Sequence, residues 1–198
     1  MGKTIHVVSI LDRSGSMGGT EKEVIGAYNA FIEDHKKIAK EKNAKFKTTL
    51  VLFDNEYEEV YSKVPIEQTP ELTSKEYFVR GMTAYFDSLG KSITKFDGKE
   101  KVIFFIETDG QENASQEFKA DTIKALVEKK KADGWDFNFV GADLDAATTR
   151  GLAATLGIDA NKTVAFNKSA EGYEMRNRSF AASTMAYVDN VTSESTDS

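Results

Sequence analysis

Asp12, Ser14 and Ser16 stand at alternate positions in one short segment, and Thr108-Asp109-Gly110 closes another with a second carboxylate and hydroxyl. These groups offer oxygen donors only. Such a set suits a hard cation, and Mg²⁺ in particular takes few protein ligands and keeps several waters, with Mn²⁺ or Ca²⁺ as substitutes. In a tight loop, alternate residues can face the same way. Asp12, Ser14 and Ser16 can then point at one centre while Arg13 and Gly15 point away. Serine hydroxyls carry no charge, so a divalent ion held partly by them keeps electrophilicity for an outside carboxylate. Ser16 also lies just ahead of a predicted helix, whose free N–H groups and dipole favour an anionic group nearby.

The rest of the composition narrows the chemistry. The chain has 198 residues and no cysteine, which removes thiolate nucleophiles, disulfides and Cys-ligated zinc or iron–sulfur sites. Its 26 Lys+Arg against 32 Asp+Glu give a net charge of −6, a poor basis for binding a phosphate backbone. Lys129-Lys130-Lys131 is too short to reverse that, and reads as a solvated helix end. Hydrophobic residues make up 40%, with 13 Phe and 7 Tyr, enough for the core of one sizeable domain. No apolar run approaches the roughly 20 residues of a membrane span. The first residues lack the apolar stretch of a signal peptide, so the expectation is a soluble cytoplasmic protein. On that expectation the five Asn-x-Ser/Thr sequons, at Asn113, Asn161, Asn167, Asn177 and Asn190, are chance matches.

The elements that would position the oxygen donors follow from periodicity. Thr4–Leu11 reads as a buried central strand running into the Asp12 loop, and a helix is predicted from about Thr20 to Glu41. Lys47–Asp54 and Tyr57–Val64 read as an antiparallel hairpin, followed by a loop over 65–80. A helix is expected over 84–95, and Val102–Ile106 is a second fully buried strand that ends near Asp109. Ser115 is the expected N-cap of a helix reaching Lys131. A strand over 135–141, a helix over 146–156, a short strand over 163–166 and a last helix over 170–188 complete a domain of residues 1–190. Residues 191–198 read as a frayed tail. Strands alternating with helices imply an α/β sandwich, a mostly parallel sheet with one antiparallel edge strand and helices on both faces. In such sheets ligands gather at the carboxyl ends of the strands, where Asp12 and Asp109 fall.

Asp12-x-Ser14-x-Ser16, then Thr83 in Gly81-Met82-Thr83-Ala84, then Asp109 in Thr108-Asp109-Gly110, resembles the metal-ion-dependent adhesion site (MIDAS) of von Willebrand factor A domains. The segments LDRSGSM, YNAF, a strand ending FD, GMTA followed by Asp87, and TDG-x-ENAS are similar to small stand-alone bacterial and phage members. The resemblance implies a doubly wound, six-stranded sheet in the order 3-2-1-4-5-6 with an Mg²⁺ site at its carboxyl edge. It implies direct ligation by Ser14 and Ser16, ligation by Asp12 and Asp109 directly or through water, and by Thr83 when a ligand is engaged. A Glu or Asp of a partner protein would take the remaining position. It further implies a binding module rather than an enzyme, with, in some members, an affinity switch that moves the Thr and the last helix.

Blander readings stand beside this one. Asp12, Ser14 and Ser16 could be an N-cap cluster. Arg13, Gln111, Glu112 and Asn113 could be ordinary loop surface or a rim that reads the ligand, and Asp87 a structural carboxylate near the Thr83 loop. In an extended strand Glu107 would share a face with Asp109, either adding charge to the site or paired structurally. Gly90-Lys91-Ser92 lacks the earlier glycine of a P-loop, and Asp143-Leu144-Asp145 lacks the Gly and final Glu of an EF-hand. Two further functions use the same cation: a metal-assisted hydrolase or phosphoryl-transfer enzyme, and a self-assembling scaffold. In the scaffold, Glu194 or Asp197 of one copy would complete the site of another as a homo-oligomer.

Overall fold

A computed structural model describes residues 4–193. Among them, the strands are β1 (Thr4–Asp12), β2 (Lys45–Phe53), β3 (Tyr57–Pro65), β4 (Lys101–Thr108), β5 (Asp136–Ala142) and β6 (Thr163–Phe166). The helices are α1 (Glu21–Glu41), α2 (Tyr85–Thr94), α3 (Ala120–Ala132), α4 (Ala146–Thr155) and α5 (Ala170–Ser193). The strands form one sheet in the order β3-β2-β1-β4-β5-β6, as expected. Only β3 runs antiparallel to its neighbour; the other pairs are parallel. No helix among the described residues is long and apolar enough to cross a membrane.

The buried strands alternate their apolar side chains between two cores, as a period of two requires. Val8, Ile10, Phe53, Phe104, Ile106 and Phe139 pack against Tyr85 and Leu89 of α2 and Ile123 and Val127 of α3. Ile5, Val7, Leu11, Leu50, Ile103 and Phe105 face the other way, onto Tyr28 and Phe31 of α1 and Phe180 and Val188 of α5. With both faces covered, β1 and β4 read as almost continuous hydrophobic runs.

The site depends on the pairing of β1 between β2 and β4. Asp12 pairs with Phe53 and Leu11 with Glu107, so the carboxyl ends of β1 and β4 lie side by side. The strand order reverses here: the chain leaves β1 toward β2 and returns to β4 on β1's other edge. A crevice therefore opens between the loops that follow the two strands.

Two boundaries differ from the expected ones. Residue 115 does not start α3, which begins at Ala120 with Lys119 at its N-cap. Asp87 of α2 accepts the N–H groups of Gln116, Glu117 and Phe118 at 2.8–3.0 Å, and so holds that segment against α2. Gly90 makes room for it, since a Cβ there would lie 2.5 Å from the Phe118 ring. At the other end α5 continues to Ser193, with Val191 buried, into the stretch expected to fray. Glu194 and Asp197, the acids of the self-assembly reading, lie outside the described residues.

Candidate metal centre

β1 delivers Asp12 to the crevice buried, at 1% exposure. Its Oδ1 accepts the Ser14 N–H at 2.7 Å and its Oδ2 accepts the Thr108 hydroxyl at 2.6 Å. The loop then turns through a short 3₁₀ segment, Gly15–Met17, which carries Ser14 and Ser16 past the strand end. The Ser14 and Ser16 hydroxyls lie 3.2 Å apart, and Ser16 Oγ donates to Asp109 Oδ1 at 2.6 Å. A continuous chain of polar contacts thus links Asp12, Ser14, Ser16 and Asp109 across the carboxyl ends of β1 and β4.

Thr83 joins this group from the loop before α2. It is 4% exposed, and its backbone is clamped: Asn113 Oδ1 accepts its N–H at 2.9 Å, and its carbonyl accepts the N–H groups of Asn113 and Ala114. A methyl placed on Gly110 would stand 3.7 Å from Thr83 Oγ1 and 4.0 Å from Ser16 Oγ. The missing side chain of Gly110 therefore leaves a small space faced by both hydroxyls. All five expected site residues are brought to one crevice.

Burial sets the electrostatics of Asp12. Desolvation pushes its carboxyl up to about 6, against hydrogen bonds from Ser14 and Thr108, while the negative charge of Asp109 adds to the rise. A carboxylate in this position is short of positive charge.

The N-cap reading does not describe the serines. Ser14 makes no side-chain cap hydrogen bond to the 3₁₀ turn, and the N-cap of α1 is Thr20, also without one. The hydroxyls of Ser14 and Ser16 turn toward each other and Asp109 instead. Among the described residues there is no group of three or more His, Asp or Glu able to hold a metal. The donor set is two carboxylates and three hydroxyls at the carboxyl ends of β1 and β4 and in the loop before α2, and it fits a hard divalent ion.

Several residues around the crevice have roles that local spacing did not reveal. Arg13 is not loop surface but fully buried; its Nε donates to Asp54 Oδ2 at 3.1 Å and it pairs with Glu58. Asp54, buried at the end of β2, also accepts from Arg80 Nε at 2.7 Å, and its carbonyl accepts the Ala84 N–H. The Thr83 loop is thereby anchored to the loop that carries the serines. Gly15 N–H to Gly81 carbonyl, at 3.1 Å, adds a backbone link, and Gly81 adopts φ +67°. Tyr77 donates its hydroxyl to the Asp12 carbonyl at 2.7 Å. The FD at the end of β2 was visible in the sequence; nothing local marked its arginine partners.

Glu107 and Asp109 do not share a face. β4 ends at Thr108, so the chain has left the strand before Asp109. Glu107, level with Leu11, points into the α1/α5 core and pairs there with Arg176. Glu112 accepts from Phe86 N–H, Ala114 N–H and the Ser115 hydroxyl, so it braces the loop rather than lining its surface.

The sequence matches no protein-family model and no curated protein sequence. Solved structures do match. Proximal thread matrix protein 1 of the mussel byssus, in a form with a zinc-occupied MIDAS motif, superposes with a TM-score of 0.62 at 13% identity, over 93% of this chain and 46% of that one. The chain thus spans a little under half of that protein's length. The vWF domain of the type V pili tip protein Mfa5 from Porphyromonas gingivalis gives a TM-score of 0.64 at 12% identity, over 92% of this chain and 97% of that one. A von Willebrand factor type A protein from Catenulispora acidiphila gives 0.54 at 16% identity, over 93% and 43%.

Proposed function

We propose that this chain, which has the von Willebrand factor A fold, is a protein-interaction module that binds an acidic side chain of a partner through a divalent cation at the β1/β4 crevice. The observation that carries this reading is the chain of polar contacts from Asp12 through Ser14 and Ser16 to Asp109, with Thr83 Oγ1 and Ser16 Oγ both facing Gly110. Ser14 and Ser16 would hold the ion through their hydroxyls, Asp12 and Asp109 would balance its charge, and Thr83 stands ready to join. Mg²⁺ suits the oxygen donors best, with Mn²⁺ or Ca²⁺ as substitutes. A bound ion of this kind supplies an electrophilic open position for a carboxylate oxygen. The hydroxyl ligands would add no further negative charge, so the ion would keep electrophilicity for that oxygen.

The placement of the histidines favours binding over hydrolysis. His35 lies in the α1/α5 core between the Phe31 carbonyl and the Thr184 hydroxyl, each 2.8 Å away. His6 lies near the opposite end of β1, roughly 20 Å along the strand from Asp12 at about 3.3 Å per residue. Neither can serve as a base to these serines. The solved structures that this chain resembles include a byssus matrix protein and a pilus tip protein, which supports the same reading.

The test is a pull-down from host lysate with Mg²⁺ or with chelator, using Asp12→Ala as control. A partner retained only with metal and only by the wild-type chain is expected. Equal capture in chelator, or by the variant, would remove the adhesion reading; turnover of phosphate esters at a rate that depends on Asp12 would replace it with the phosphoryl-transfer one.

A further inference from the structure

Lys168 lies in the loop between β6 and α5, far from the other crevice residues in sequence. Its Nζ donates to Asp109 Oδ2 at 2.8 Å and to the Ser16 carbonyl at 3.1 Å, and its side chain is only 12% exposed. The loop is held in this place by Asp143. The Lys168 N–H donates to Asp143 Oδ1 at 2.8 Å, Asp143 Oδ2 stands 3.6 Å from Nζ, and the Asp143 N–H donates to the Phe166 carbonyl at 2.7 Å. Both oxygens of Asp109 are therefore engaged, one by the Ser16 hydroxyl and one by an ammonium ion.

We propose that Lys168 is an internal competitor for the metal site: its ammonium group and a divalent cation exclude one another at Asp109, so the site loads only as the β6–α5 loop withdraws. This rests on the adhesion-site reading above. A divalent ion ligated by Asp109 would stand about 2 Å from a carboxylate oxygen. The ammonium group at 2.8 Å from the same carboxylate would then be a few ångströms from two like charges, in a crevice where water screens poorly. The attraction of Asp109 cannot be shared equally between them. Because the two equilibria are linked, whatever factor Lys168 takes from the metal affinity, saturating metal must take from the Lys168 contact.

Mg²⁺ affinity measured by calorimetry on the full chain, for wild type, Lys168→Met and Lys168→Arg, tests this. Lys168→Met should bind at least tenfold tighter than wild type, and Lys168→Arg, which keeps the charge, should stay near wild type. An equal or weaker affinity for Lys168→Met, or an arginine variant that matches the methionine one, overturns the proposal. Acylation of lysines mapped by mass spectrometry gives a second readout on the unmodified sequence. Mg²⁺ should speed labelling of Lys168 several-fold while exposed Lys22 is unaffected; unchanged or slower labelling of Lys168 overturns the proposal. If wild type binds Mg²⁺ and Lys168→Met is no tighter, only the competitor role falls. If neither binds, the adhesion-site reading falls as well.

Discussion

Glu107 of β4 and Arg176 of α5 form an ion pair in which each side chain is 1% exposed. Arg176 also donates from Nη2 to Asn177 Oδ1 at 2.9 Å, and Asn177 in turn donates to the Ala27 carbonyl of α1 at 2.9 Å. The pair thus ties α5 to α1 and to the strand that ends at Thr108, one residue before Asp109. Glu107 Oε1 has no hydrogen-bond partner in this arrangement, so the carboxylate depends on Arg176 for its stabilisation.

Removing either member leaves a buried charge unpaired, a cost of about 3–5 kcal/mol. Glu107→Ala and Arg176→Ala should each lose about that much in urea unfolding. The double variant Glu107→Leu/Arg176→Met should recover most of it, since apolar residues of similar size remove both charges together. A double variant as unstable as the sum of the singles would contradict this account.

The carboxylates of the crevice should report metal through stability. At free Mg²⁺ a hundred times the Kd, wild type should gain about 2.7 kcal/mol over the chelated protein by mass action. Asp12→Ala and Asp109→Ala should show no gain, and their thermal transitions should be the same with Mg²⁺ and with chelator. A Mg²⁺-dependent shift retained in the Asp12→Ala/Asp109→Ala double variant would rule these residues out as the ligands.

Gly110 separates the fold from the site. A methyl there makes only ordinary contacts, 3.7 Å from Thr83 Oγ1 and 4.0 Å from Ser16 Oγ. Gly110→Ala should therefore change stability by no more than about 0.5 kcal/mol, the usual range for a substitution without steric conflict. It should still weaken Mg²⁺ binding by about tenfold, the low end for a change next to the ligands. Unaltered affinity in the metal titration would show that the space is not where the ion is held.

His35 makes stability pH-dependent away from the crevice. Burial lowers its pKa from 6.5 to about 4, so the unfolded chain binds the proton more readily. The neutral ring's contribution is fully present above pH 6.5, falls as the pH drops, and is gone below about 4. The loss over that window is about 3 kcal/mol, from roughly 1.4 kcal/mol per pKa unit. Urea midpoints from pH 7 to 4 should fall more steeply for wild type than for His35→Gln. Parallel slopes would mean the imidazole is protonated in the fold.

The parts of the crevice that could be read from the sequence are those set by short-range chemistry. The DxSxS spacing, the TDG turn and the buried runs of β1 and β4 each depend on neighbours a few residues away, where periodicity and residue type are enough. Ser115 shows the limit even locally. It is a good N-cap type, yet Asp87, from another helix, captures the N–H groups of 116–118 and moves the start of α3 to Ala120. Arg13 is a second case: beside small loop residues it reads as surface, until buried Asp54 and half-exposed Glu58 pair with its charge.

By itself the sequence determined the alternation of strands and helices, the strand ends at which carboxylates and hydroxyls accumulate, and the types of donor present. The tertiary structure decided which charges meet. Lys168 reaches Asp109 across 59 residues and Arg176 reaches Glu107 across 69, and neither lysine nor arginine carries a local mark of its partner. The physical reason is that hydrogen-bonding propensity and hydrophobic period act along the chain, whereas Coulomb attraction in a dry crevice acts through space and depends on which loops the sheet order brings together.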